Sequence, residues 1–168
     1  YLIYISFFLM KHIDYITFGK PLITKNQFKE IYSTLKSGWI GTGPKVRKFE
    51  SLFSKYKNID NSIAVNSCTA ALHLSLLNLN LKNNDEVLVP ALTFCSTINA
   101  VIHSNLKPVL VDVDNETMNI DVNEIKKKIT KKTKAIIVVH LAGLSCDMKS
   151  IMKLADTYNL KVVEDCAH

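Results

Sequence analysis

The chain has 168 residues, 48% of them hydrophobic, and a formal net charge of +6. That apolar content excludes a wholly disordered chain, and the length suits about one ordinary domain. No apolar run reaches about 18 residues, so no membrane-spanning helix is expected, and the cysteines at 68, 95, 146 and 166 match no zinc-ligand spacing.

The opening "YLIYISFFL" is apolar and aromatic, without a basic flank or a small-residue cleavage site. Met10 is read as the natural start, residues 1–9 as upstream sequence, and 10–168 as one domain. Two helices follow, "KNQFKEIYSTLKS" (25–37) and "PKVRKFESLFSKY" (44–56), with Pro44 at a first helical position. Between them "GWIGTGP" is a loop on its glycines and proline. From there strands and helices alternate. "SIAVN" (62–66) predicts a strand, 67–79 a helix, "EVLVP" (86–90) a strand and 96–104 a helix. "PVLVDV" (108–113) predicts a strand and 121–129 a helix, opened by Asp121 and Glu124 as a capping box. "KAIIVVH" (134–140) predicts a strand, 147–159 a helix capped by Asp147, and "KVVED" (161–165) the last strand. Short Val/Ile runs suit strands buried on both faces. The expected fold class is therefore α/β, a mostly parallel sheet with helices on both faces.

The charge would suit an acidic partner, but the lysines are dispersed. The dense run "KKKITKKTK" (126–134) has no aromatic residues and reads as a solvated helix end and loop, so no nucleic-acid partner is expected. Dispersed cysteines outside any disulfide framework point to a reduced, cytoplasmic compartment.

In parallel α/β sheets ligands bind beyond the carboxyl ends of the strands. After "SIAVN" come Ser67, Cys68, Thr69, Ala70 and Ala71. Small residues at a helix start suit a phosphate, although taken alone they are more often an ordinary Ser-capped helix start. Phe94, after "EVLVP", could stack on a flat ligand, although an aromatic there is more often a core residue. His140, after "KAIIVVH", reads as a satisfied structural histidine. "KVVED" leads to Asp165 and His168, which are thin as a metal site but well suited to a cationic heterocycle. A phosphate seat, an aromatic plate and a carboxylate would hold a phosphorylated, flat, nitrogen-containing ring. Pyridoxal phosphate is one such molecule, and a nucleotide or flavin is another.

The segments "SGWIGTGPKVRKFE", "NSCTAALHL", "DEVLVPALTFCSTINAV", "PVLVDVD", "IDVNEI", "TKAIIVVHLAG" and "VVEDCAH" together resemble the DegT/DnrJ/EryC1/StrS family of sugar aminotransferases, pyridoxal-phosphate enzymes of type I fold. The resemblance runs from about Ile13 to His168. It implies that Thr69 and Ala70, beside Cys68, contact the cofactor phosphate. It also implies that Phe94 stacks on the ring, Asp165 binds the ring nitrogen, and His168 lies near the phenolic oxygen. Cys68 stands where the family often has glycine, so its side chain is expected to point away from the phosphate. Trp39–Pro44 match a loop near the family's active site. The Schiff-base lysine is expected some tens of residues past His168, as are the rest of the large domain and a small C-terminal domain. The implied activity is amino transfer from an amino acid, commonly glutamate, to a nucleotide-linked keto-sugar, in a cytoplasmic homodimer. A pyridoxamine-phosphate-dependent sugar dehydratase and an inactive fragment are the alternatives, and the 168 residues alone are expected to be inactive.

Overall fold

The computed structural model describes residues 20–168. The readings of residues 1–9 and of Met10 lie outside the described residues. The chain divides into two compact units, one up to Ser62 and one from Ile63 to His168.

The first unit carries α1 (Lys25–Ser37) and α2 (Pro44–Lys57), at the predicted places. Thr24 caps α1 in a capping box with Gln27, and Gly38 ends it at φ 71°. Pro44 opens α2, where its missing N–H costs no helical hydrogen bond. In the loop between, the Trp39 indole N–H donates to the Thr42 carbonyl at 2.8 Å. The ring then lies so close to Gly43 that a Cβ there would stand 2.1 Å from Nε1. Glycine is required by that close approach, since its backbone is extended.

The second unit is a four-stranded, wholly parallel sheet in the order β2-β1-β3-β4. Its elements are α3 (Cys68–Asn78), β1 (Glu86–Pro90), α4 (Cys95–His103), β2 (Lys107–Val111) and α5 (Val122–Lys128). They continue with β3 (Thr133–Val139), a short 3-10 turn at Leu141–Gly143, α6 (Met148–Tyr158) and β4 (Lys161–Asp165). The central strands β1 and β3 carry the continuous apolar runs, and every residue of β1 is buried. A register shift between Glu86 and Val87 on the β3 side leaves Lys134 exposed within an otherwise buried strand.

Alternation sorts the strand side chains into two cores. Val87, Val89, Ala135 and Ile137 pack with Leu72 and Leu76 of α3 and with Ala100 and Val101 of α4. Leu88, Val111, Ile136 and Val138 pack with Ile125 of α5 and with Ile151 and Ala155 of α6. The expected helices on both faces are thus present. The chain moves from β1 out to β2, then crosses to β3 on the other side of β1, which makes the β1–β3 boundary the switch point of the sheet. Their ladder ends at Leu88–Ile136, whereas β3 stays paired with β4 as far as Val139–Asp165.

Two expectations are corrected. "SIAVN" forms no named strand; Ile63 is 81% exposed, and the sheet of the described residues ends at β4. Strand-like alternation produces a strand only where a ladder partner satisfies its backbone. The Asp121/Glu124 capping box is half made. Asp121 accepts from the Asn123 N–H at 2.7 Å, but Glu124 turns to Lys127 in an ion pair at 2.5 Å. A lysine three residues on competes for that carboxylate.

Candidate functional site

The side chains with chemical potential gather at the carboxyl ends of the strands, all within the second unit. Asp165 closes β4 with 5% of its surface exposed. A buried carboxylate needs donors, and three elements supply them. From the start of α3 the Cys68 thiol donates to Oδ1 at 3.4 Å. From the first turn of α4 the fully buried Thr97 hydroxyl donates to Oδ2 at 3.0 Å. The Ala167 N–H closes a local turn on Oδ1 at 3.1 Å. Because Thr97 spends its proton on Asp165, it accepts from the Thr93 hydroxyl, 2.8 Å away. The directed chain is Thr93 to Thr97 to Asp165.

The Cys68 thiol is directed at the Asp165 carboxylate. Burial pushes its thiol pKa up, and the Asp165 charge pushes it further, so the sulfur stays protonated and serves as a donor. The helix start itself is ordinary in its cap: Ser67 Oγ accepts from the Ala70 N–H at 3.2 Å, and the Ser67 carbonyl from the Ala71 N–H at 3.1 Å. The N–H groups of Cys68 and Thr69 precede the first helical bonds and have no intrahelical acceptor. Thr69 is exposed and Ala70 half-buried.

Phe94 is not a core residue: its ring is 76% exposed. It stands at the N-cap of α4, where its carbonyl accepts from the Thr97 N–H at 3.1 Å. The backbone of the exposed aromatic and the hydroxyl on Asp165 therefore belong to one turn.

His168 lies past Asp165, and its Nδ1 accepts from the Ala142 N–H at 3.0 Å. His140 is a satisfied histidine. Its Nδ1 accepts from the Cys146 N–H at 3.1 Å, its Nε2 faces Glu164 Oε2 at 2.9 Å, and its backbone N–H donates to the Asp165 carbonyl at 3.2 Å. His140, Glu164 and Cys166 bring potential metal-ligand atoms within 4.8 Å of one another. The bond from Cys146 argues against a metal, since an accepting Nδ1 leaves the ring proton on Nε2, where it bonds Glu164.

Sequence reasoning singled out Cys68, Thr69, Ala70, Phe94, Asp165 and His168, and it passed over Thr97 and Thr93, which the structure bonds in a chain to Asp165. The available signal was a buried hydroxyl one turn into the helix after a central strand. Thr97 falls at an inward position of "STINAV", where a polar residue needs a buried partner. The Trp39–Pro44 loop belongs to the other unit.

Residues 21–168 match the DegT/DnrJ/EryC1/StrS aminotransferase family. Among curated relatives, the chain is 42% identical over 160 residues to the spore coat polysaccharide biosynthesis protein SpsC of Bacillus subtilis, covering 95% of this chain and 41% of that protein. It is 42% identical over 156 residues to GDP-perosamine synthase of Escherichia coli O157:H7, covering 92% and 43%. Among solved structures, the PLP-form of a putative sugar aminotransferase, Spr1654 of Streptococcus pneumoniae, superposes with a TM-score of 0.85 at 35% identity, covering 91% of this chain and 43% of that one. The chain spans about two-fifths of the length of these relatives.

Proposed function

The chain belongs to the DegT/DnrJ/EryC1/StrS aminotransferase family, and on that premise we propose that its strand ends form part of a pyridoxal 5′-phosphate site in a sugar aminotransferase. The supporting observation is Asp165, a buried carboxylate held by donors from three elements at the end of β4. When bound, the cofactor supplies an electron sink for the charge that develops next to the transferred nitrogen.

The residues present fit such a group. Oδ1 of Asp165 already takes the Cys68 thiol and the Ala167 N–H, whereas Oδ2 takes Thr97. Oδ2 thus keeps the more open lone pair for a ring N–H. The carboxylate favours the protonated ring nitrogen by charge and by accepting its hydrogen bond. Thr97 and Thr93 hold the carboxylate in one orientation, which spares reorganisation during the reaction. The exposed Phe94 ring provides a stacking face. Cys68, Thr69 and Ala70 would seat the phosphate at the start of α3, where unpaired N–H groups and the helix dipole favour an anion. With Nδ1 accepting from Ala142, His168 carries its proton on Nε2 and can donate it to the ring's phenolic oxygen.

In the whole protein these residues would be the first part of a larger cofactor domain. The reaction would move an amino group from an amino acid such as glutamate to a keto group on a nucleotide-linked sugar, in a homodimer. The test is Asp165→Asn in the whole protein. Cofactor uptake followed by absorbance should stay measurable, while amino transfer slows roughly a hundredfold or more, the scale of losing one preorganised electrostatic partner. An unchanged rate would remove Asp165 from the role given to it.

A further inference from the structure

Asn119 is buried to 4% exposure and has no place in the site described above. It sits in the loop between β2 and α5, and that loop is braced. Asp114 Oδ1 accepts from the N–H groups of Glu116 and Thr117 and from the Thr117 hydroxyl. The Asp114 N–H donates to the Asn119 carbonyl at 2.9 Å, and Val113 and Ile120 form a single antiparallel bridge. From this footing the Asn119 side chain reaches the turn that follows β3, on the far side of β1 in the sheet order. Its Oδ1 accepts from the Leu141 N–H at 3.1 Å and its Nδ2 donates to the Leu144 carbonyl at 2.9 Å.

The turn so gripped is unusual. Ala142 has φ 51° and ψ 24°, a left-handed conformation that a residue with a Cβ adopts only where its surroundings hold it there. Gly143 follows at φ 85°. The N–H of the constrained Ala142 is the group that donates to His168 Nδ1.

We infer that Asn119 is a positioning residue for His168: by holding Leu141 and Leu144 together it keeps the Ala142 N–H on Nδ1 and the ring proton on Nε2. This rests on the proposed function for its catalytic meaning, because that function is what gives a donor at Nε2 its use. The amide is suited to the task, since it satisfies a donor and an acceptor at once and adds no charge to a buried position. Its side-chain partners, Leu141 and Leu144, are not among those of the Asp165 carboxylate, so removing it leaves the carboxylate's own bonds in place.

The test uses the whole protein with 15N-labelled histidine, first without cofactor. The His168 signals are identified by their loss in His168→Gln. In the wild type the nitrogen shifts should show Nδ1 unprotonated and Nε2 protonated; a proton resident on Nδ1 overturns the inference. In Asn119→Ala the Ala142 amide should exchange with solvent about tenfold faster or more, and the His168 nitrogens should move toward those of a free imidazole. A folded Asn119→Ala protein with neither change overturns the inference. Should the alanine variant not fold, Asn119→Asp decides, since it keeps the acceptor for Leu141 and loses the donor to Leu144. Its Ala142 amide should exchange measurably faster than wild type, and equality overturns the inference. Added pyridoxal phosphate should then shift His168 Nε2. If Nε2 stays silent while the Asn119 effect stands, the role given to His168 toward the cofactor fails and the Asn119 clamp does not.

Discussion

Thr97→Val removes one oxygen from the most enclosed part of the site and changes little else. Thr97 is fully buried, and valine has nearly its shape, so no cavity opens. The lost bond is to a carboxylate, and hydrogen bonds to charged groups contribute about 1.5–3 kcal/mol net. Thr93 also loses its acceptor, but it is half-buried and can turn to water. The expected loss is about 2 kcal/mol, or a drop of roughly 1 M in urea midpoint for a unit of this size. Thr93→Val should cost about 1 kcal/mol, the scale of a neutral pair. Because Thr93 acts on Asp165 through Thr97, the double variant should cost less than the sum of the two by about 0.5–1 kcal/mol. Thr97→Ser, which keeps the hydroxyl, should restore most of the coupling. Urea unfolding of the wild type and these four variants is the assay. A loss below about 0.5 kcal/mol for Thr97→Val, or strict additivity in the double variant, would refute the directed chain onto Asp165.

Glu86, buried at the start of β1, accepts from Thr130 at 2.6 Å and pairs with Lys107 at 3.1 Å, and these partners hold its pKa below the usual carboxylate value, the Thr130 bond first. A lowered folded-state pKa means a contribution to stability that is complete above the unfolded value, about 4.3, and is lost as pH falls through the folded value. Glu86→Gln should therefore cost about 1 kcal/mol at pH 7 and flatten the acid limb of stability against pH, as read by thermal melts from pH 7 to 3; parallel limbs would contradict it. Gly43→Ala should drive the indole of Trp39, the sole tryptophan, from its seat on the loop, because the new Cβ would stand 2.1 Å from Nε1. A change in tryptophan emission maximum at unchanged helicity is the expected result, and identical emission would count against the close approach.

The alternation of strands and helices was legible because each element carried its own reason. The apolar runs mark strands buried on both faces, as β1 and β3 are. Asp147 caps α6 through the Ser150 N–H, as a residue of its type before an apolar period should. What was not legible depended on partners elsewhere in the chain. "SIAVN" has the alternation of a strand, but alternation cannot supply a ladder. Glu124 has the spacing of a capping box, but a lysine one turn on competes for it. The order β2-β1-β3-β4 is also invisible to periodicity, although it decides which strand ends meet.

The same distinction explains the site. Asp165 and His168 stood out because they are contiguous in "EDCAH" at the end of a strand. Thr97 and Asn119 did not, because their importance lies in what they touch 68 and 22 residues away, Asp165 and Leu141 respectively. Both are buried polar side chains spent wholly on other parts of the chain, and burial of that kind is stabilising only when each hydrogen bond is made. A residue that serves only to orient another must be well packed and fully bonded, and so it carries no reactive signature in sequence. The strand ends are therefore built twice over: by a short motif that presents a carboxylate and an imidazole, and by distant groups, the Thr97 hydroxyl on Asp165 and the Asn119 amide on the turn that bonds His168.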